Sequence, residues 1–179
     1  AHHVEHLGAL AELQEAAHRY FQDGDAEVLP FPDASFDCVL CNQVLEHVFE
    51  PTAFLSEIRR VLRPGGRLLL TVPFVWDEHE QPWDYARDTN FGLHHLLEGS
   101  GFVLREYRKV NADVRVIFQL AIAYLYKVLW TRYPWLNLVT CVMLMAPITL
   151  LGLLFYRLLP ANPDLYLDQV ALSERSEDV

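Results

Sequence analysis

A mostly parallel α/β sheet with helices on both faces is the fold this sequence predicts, and three observations predict it. Apolar runs of strand length alternate with amphipathic stripes of helical spacing, proline and glycine punctuate the changeovers, and the resulting order is strand-helix-strand-helix-strand. Leu7, Leu10, Leu13, Ala17 and Tyr20 recur at three- and four-residue steps with Glu12, Gln14, Glu15 and Arg19 between them, which predicts a helix over 7–19. Tyr20 to Gln22 is a short strand that delivers the Gly24-Asp25-Ala26 turn. Phe36 to Asn42 is the next strand, a continuous apolar run suited to a parallel sheet covered on both faces. Glu50-Pro51-Thr52 opens a helix, because a proline at the first helical position sacrifices no hydrogen bond. Phe54, Leu55, Ile58, Val61 and Leu62 form its stripe, Arg59, Arg60 and Arg63 suit the negative end of its dipole, and Pro64-Gly65-Gly66 stops it. Arg67 to Val72 is a strand ended by Pro73, and Phe74 to Asp88 is an aromatic and acidic loop. Thr89 caps a helix through Leu93, Leu96 and Leu97, closed by Gly99 and Gly101, and Phe102 to Lys109 is a further strand.

Composition narrows the partners. The chain has 179 residues, 52% of them hydrophobic, enough for a core of one α/β domain. A formal charge of −10 argues against nucleic acid, since affinity for a phosphate backbone rests on lysine and arginine. Three cysteines, Cys38, Cys41 and Cys141, fit a reducing compartment, and the lone Cys38–Cys41 pair inside an apolar run reads as strand thiols before it reads as a metal or redox site. His2, His3, His6 and His18 read as solvated helix-face histidines in preference to metal ligands, so no metal is assigned. The first residues lack the basic region and apolar core of a signal peptide, and the start reads like a cut.

The segments GDA (Gly24–Ala26), LPF (Leu29–Phe31), SFD (Ser35–Asp37), LEHV (Leu45–Val48), LRPGG (Leu62–Gly66) and GF (Gly101–Phe102) stand in an order and spacing that resembles the class I S-adenosylmethionine-dependent methyltransferases of the type 11 family. The resemblance covers roughly residues 7–110 and again 164–172. It implies a Rossmann-like methyltransferase fold, S-adenosylmethionine as cofactor and methyl transfer as activity. About two dozen residues precede Asp25 and none form the family's GxGxG, so the expectation is a fold incomplete at the amino end, without its first strand, Gly-rich loop and second strand. Phe36–Asn42 would then become a sheet edge and the isolated chain poorly stable.

By the same resemblance, Asp25 accepts a hydrogen bond from the adenine amino group and the Ala26 backbone meets the ring edge. A plain turn at Gly24–Asp25 is the alternative, because Asp bonds nearby backbone. Cys41, Asn42 and Gln43 stand at the carboxyl end of a parallel strand, where ligands of open α/β sheets collect, and similar positions in the family line the cofactor cleft. His47 is the candidate catalytic base for a hydroxyl or amine acceptor, against a packing role before Pro51. Trp76, His79, Trp83, Asp84, Tyr85 and Arg87 belong to the loop over the same strand end. It reads as a substrate lid in preference to a metal site, with Arg87 paired to Asp84 or Glu80 or touching substrate.

From Tyr133 to Tyr156 no residue is charged, which suits a membrane span by length. A single span would carry Leu165–Leu172 away from the sheet that the resemblance has it join as a last antiparallel strand, so the two assignments exclude each other. Pro147 is expected to divide the segment into two halves of about 16 Å, each too short to cross. Three readings remain: contact with a membrane surface or lipid, a true span, and a soluble helical cover. The expected organisation is a partial methyltransferase domain over 1–115, a hydrophobic helical insertion over 116–160, and a last strand with an acidic tail over 161–179. The expected function is methyl transfer to a small or lipid-like acceptor in the cytoplasm, with the inner face of a membrane as the alternative location. A non-catalytic, membrane-associated module of the same fold is the alternative.

Overall fold

The computed structural model describes residues 29–177. The expected helix over 7–19, the strand at Tyr20–Gln22 and the Asp25–Ala26 turn lie outside the described residues. The described chain forms two compact units, residues 29–74, 78–108 and 169–177 in one and residues 75–77 and 109–168 in the other.

The first unit contains most of a four-stranded sheet. Strand β1 spans Phe36–Asn42, helix α1 Pro51–Val61, strand β2 Leu62–Pro73, helix α2 Asn90–Gly99, strand β3 Phe102–Val110 and strand β4 Asp168–Arg175, in the spatial order β1-β2-β4-β3. β1 and β2 are parallel, with Cys38 opposite Arg67 and Asn42 opposite Thr71. The register breaks between Phe36, which faces Leu62, and Cys38, so that Arg63 to Gly66 stand out of the ladder. Gly66 is required there because a Cβ would lie 2.8 Å from the Arg63 carbonyl oxygen. The assigned β2 therefore starts at Leu62, five residues before the expected Arg67, and α1 ends at Val61, ahead of the Pro-Gly-Gly segment expected to stop it.

β4 runs antiparallel to both of its neighbours. Leu167 N, just before β4, donates to Val110 O at the end of β3 (3.2 Å), and Ser176 N, just after it, donates to Gly101 O before β3 (3.1 Å). At the same end, Arg175 Nη1 donates to Leu62 O at the start of β2 (2.6 Å). The strand that joins the sheet is displaced by three residues from the expected 165–172, because Leu165 to Leu167 serve as its approach.

Burial shows what holds these elements. Phe54, Leu55, Ile58 and Val61 from α1 pack with Val39 of β1 and Leu68, Leu70 and Val72 of β2, and Leu93, Leu97, Phe102 and Ala171 complete the same core. Thr89 caps α2 as its sequence requires, its hydroxyl accepting from Gly92 N at 3.1 Å. β1 departs from expectation: Val39 and Cys41 are buried, but Cys38 is exposed and Leu40 is 37% exposed. Among the described residues β1 is an edge strand with one covered face, so an apolar run had to be read as two-sided when only one side is packed.

The second unit is a helical hairpin. Helix α3 spans Arg115–Leu129, and a second helix, α4, runs without interruption over Pro134–Leu158. The expected division at Pro147 does not occur. A π-helical stretch at Cys141–Met145 precedes the proline, which falls in the first turn of the final helical segment, where its missing N–H is tolerated. The two helices are antiparallel: Phe118 stacks on Phe155 (5.8 Å between centroids), Arg115 lies 3.9 Å over the Tyr156 ring, and a Cβ at Gly152 would come within 3.0 Å of Phe118.

Leu70→Ala should lower unfolding free energy by roughly 2–5 kcal/mol, because it opens a cavity between β2 and α1. Leu40→Ala on the uncovered face should cost about 1 kcal/mol or less. Urea titrations of both variants against the parent check the contrast.

Candidate functional site

The carboxyl end of β1 turns sharply. Gln43 adopts a left-handed backbone (φ 53°), which a non-glycine residue holds only where its surroundings fix it. Its N–H donates to Thr71 O (3.0 Å), with Thr71 Oγ1 at 3.2 Å, and Thr71 Oγ1 in turn donates to Asn42 Oδ1 (2.6 Å). The Asn42 side chain is thereby oriented with its NH2 at an exposed strand end. Cys41 points into the core, and burial pushes its thiol far above the ordinary range, so only its backbone is available to a ligand.

A 3-10 turn, Leu45–His47, follows, and all three side chains are buried. The loop after β2 folds back on it. Tyr85 N and Ala86 N both donate to Glu46 O (2.8 and 3.3 Å), and the Trp83 carbonyl lies 2.7 Å from His47 Nδ1. A carbonyl can only accept, so Nδ1 carries the proton and Nε2 of the neutral ring keeps its lone pair. That Nε2 stands 3.8 Å from Glu46 Oε1 and 3.9 Å from Glu80 Oε2.

Glu46 is the residue that sequence reasoning missed as a site. It is 2% exposed, and neither carboxylate oxygen finds a hydrogen-bond partner of good geometry among the described residues. Burial raises its pKa to about 7, opposed by smaller favourable interactions that include the charges of His79 and Arg87. The signal in the sequence was only its place beside His47, since the residues that bury it come from a loop some forty positions later.

His79, Asp84 and Arg87 brace that loop. Arg87 donates to both Asp84 oxygens (2.5 and 2.7 Å), and His79 N donates to Asp84 Oδ2 (3.0 Å). The Arg87 hydrogen bonds hold Asp84 down at a pKa of about 2. His79 meets the His47 ring edge-on at 4.8 Å. Trp83 and Tyr85 are exposed at the loop surface, Tyr85 packing edge-on to Phe49 (5.3 Å), while Trp76 is an exposed residue of the second unit.

Glu46, His47 and His79 bring potential ligand atoms within 4.8 Å of one another. The Arg87 guanidinium, 3.3 Å from His79 Nδ1, puts a fixed positive charge where a cation would need none. The cluster suits proton transfer better: a lone pair on His47 Nε2 faces a carboxyl poised near neutrality. Asp25 and Ala26 lie outside the described residues.

Residues 5–70 match a family model described as "Methyltransferase domain". A probable S-adenosylmethionine-dependent methyltransferase of Mycolicibacterium smegmatis is 50% identical over 83 residues, 46% of this chain and 30% of that protein. The ubiquinone/menaquinone biosynthesis C-methyltransferase UbiE of Hahella chejuensis is 54% identical over 50 residues (28% of this chain, 20% of that protein), and the demethylmenaquinone methyltransferase of Deinococcus radiodurans 52% identical over 50 residues (28% and 21%). These alignments thus span less than a third of each relative's length. Among solved structures, the [4+2]-cyclase SpnF aligns with a TM-score of 0.53 at 19% identity, covering 86% of this chain and 54% of that one. A putative sarcosine dimethylglycine methyltransferase from Galdieria sulphuraria aligns at 0.52 and 15% identity, covering 87% and 59%. At such identities the structural likeness shows the fold alone.

The buried carboxyl sets a pH dependence. A carboxyl whose pKa is raised on folding contributes stability that is complete below its unfolded value near 4.5 and is lost as pH rises through about 7. Unfolding free energy of the parent chain should therefore fall between pH 5 and pH 8 relative to Glu46→Gln, as read from urea midpoints across that range. Asp84, depressed to about 2, contributes above its unfolded value near 3.8 and loses that contribution only as pH falls through about 2, outside this window.

Proposed function

We propose that this chain, which belongs to the class I S-adenosylmethionine-dependent methyltransferases, transfers a methyl group to a small or lipid-like acceptor that is deprotonated by the Glu46–His47 pair. One observation carries the reading: a buried carboxyl without a side-chain hydrogen-bond partner among the described residues, 3.8 Å from the Nε2 of a histidine, at the carboxyl end of a parallel strand. S-adenosylmethionine supplies, when bound, a methyl carried on a sulfonium with a good leaving group.

The protein's share is positioning, exclusion of water and management of one proton. The Asn42 amide, oriented by Thr71, and the backbone of Cys41 and Gln43 are suited to hold the cofactor's polar groups, and their order at an exposed strand end fits such a ligand. Asp25 and Ala26 are proposed for the adenine by resemblance. Trp83 and Tyr85 offer apolar faces to an acceptor, while the Asp84–Arg87 pair keeps the loop in place. His47 Nε2 would take the proton that the acceptor oxygen, nitrogen or carbon gives up as it gains the methyl, the methyl carbon–sulfur bond breaking with its electron pair left on the sulfur of a neutral thioether. The Glu46 carboxylate, 3.8 Å from His47 Nε2 and beyond hydrogen-bond reach, stabilises the imidazolium through its charge alone. The names of the quinone-methylating relatives support a lipid-like acceptor.

Calorimetry with S-adenosylhomocysteine should give micromolar binding to this chain, weakened about tenfold or more by Asp25→Ala through loss of one hydrogen bond to a charged group. Glu46→Gln should leave that affinity unchanged and lower the methylation rate by about 10²-fold or more. An intact, cooperatively unfolding chain with no binding would contradict the reading and favour a non-catalytic module.

A further inference from the structure

The second unit carries a surface that the chemistry of the first does not use. α4 is 25 residues long, its most apolar 18-residue stretch has a mean hydropathy of 2.4, and only 11% of that stretch is buried. Leu138 (65%), Met143 (73%), Leu150 (66%) and Leu158 (66%) are exposed on different sides of it, and Ile117 and Tyr124 are exposed on α3. A helix apolar around its circumference is a helix for an apolar environment. A second copy of the chain could cover one stripe of it and leave the rest in water.

Charge points the same way. Between Val114 and Pro163 there is no Asp or Glu, and the charged residues are Arg115, Lys127, Arg132 and Arg157, four cations in a chain of net charge −10. Arg115 is held by Asp113 (2.6 Å) and Lys127 by Asp77 (2.7 Å). Arg132 and Arg157 are exposed and have no acidic partner among the described residues. Arg132 stands among Trp130, Tyr133 and Trp135, all exposed. Amphipathic aromatics beside a cation are the composition of a headgroup zone.

Topology decides how such a segment can meet a bilayer. Its two ends are tied together: Lys109 Nζ donates to Pro163 O (2.7 Å), and Leu167 N to Val110 O (3.2 Å). The chain must leave on the side it entered, which forbids a single crossing. A double crossing would need α3 as its other leg, and 15 residues give about 22 Å against a hydrocarbon core of about 30 Å.

We propose that residues 111–162 dock this protein on the surface of an anionic lipid bilayer, with the α3–α4 hairpin bedding its apolar side chains in one leaflet without crossing it. This inference does not depend on methyl transfer, and its test needs no cofactor.

The full chain, purified in mild detergent, is mixed with sealed vesicles of phosphatidylcholine alone or doped with phosphatidylglycerol, the detergent is removed, and the mixture is floated. The chain should float with the doped vesicles, less with the neutral ones, and less again in high salt. The double variant Arg132→Gln/Arg157→Gln should weaken anionic partitioning roughly tenfold or more. Met143→Glu/Leu150→Glu should abolish flotation with unchanged circular dichroism, and protease added outside should still remove an epitope tag appended after Val179. The proposal is overturned by a chain that stays in solution as a defined oligomer or precipitates without floating. It is equally overturned by binding indifferent to lipid charge and to the arginine variants, or by protection of that tag in the sealed vesicles.

Discussion

The candidate site depends on one loop folding back over one turn. Tyr85 N and Ala86 N close on Glu46 O, and the Trp83 carbonyl fixes the His47 ring; together these contacts remove Glu46 from water. Everything distinctive about the site follows from that burial. A solvated Glu46 would titrate near its ordinary value and do nothing for its neighbour, whereas a buried one sits near neutrality, where a proton can pass in either direction. The Asp84–Arg87–His79 contacts matter because they stiffen the loop that does the burying.

The sheet supplies the platform. Parallel pairing of β1 with β2 sets Asn42 against Thr71, and that single register position orients a polar side chain at the strand end and supports the left-handed Gln43. The antiparallel β4 has a second consequence. By bringing Leu167 beside Val110, it forces the whole hydrophobic segment between them to begin and end at one place, so the segment's length no longer argues for a span.

Much of this was legible in the sequence wherever the determinants are local. β1 matched its apolar run residue for residue, Pro51 opened its helix and Thr89 capped the next, because strand length, proline position and capping chemistry act over a few residues. Pro147 was misread for the complementary reason: its effect depends on the hydrogen-bond pattern of the preceding turn, and the π-helical stretch at Cys141–Met145 has no sequence signature of its own. β1 was read as covered on both faces because an apolar run does not record which neighbours are present. At the site, His47 and the loop residues could be singled out by type, but Glu46 could not. Its property is burial, and burial comes from residues distant in sequence. The [4+2]-cyclase on the same fold shows why the site and not the architecture must carry the functional reading.

The most direct test of this account is the ionisation of Glu46 itself, followed by carbon NMR of side-chain carboxyls with Glu46→Gln to assign the resonance. A midpoint near 7 is predicted. A midpoint at the ordinary glutamate value near 4.5 would mean that the loop does not bury the carboxyl, and the proton-transfer role of the Glu46–His47 pair would fall with it.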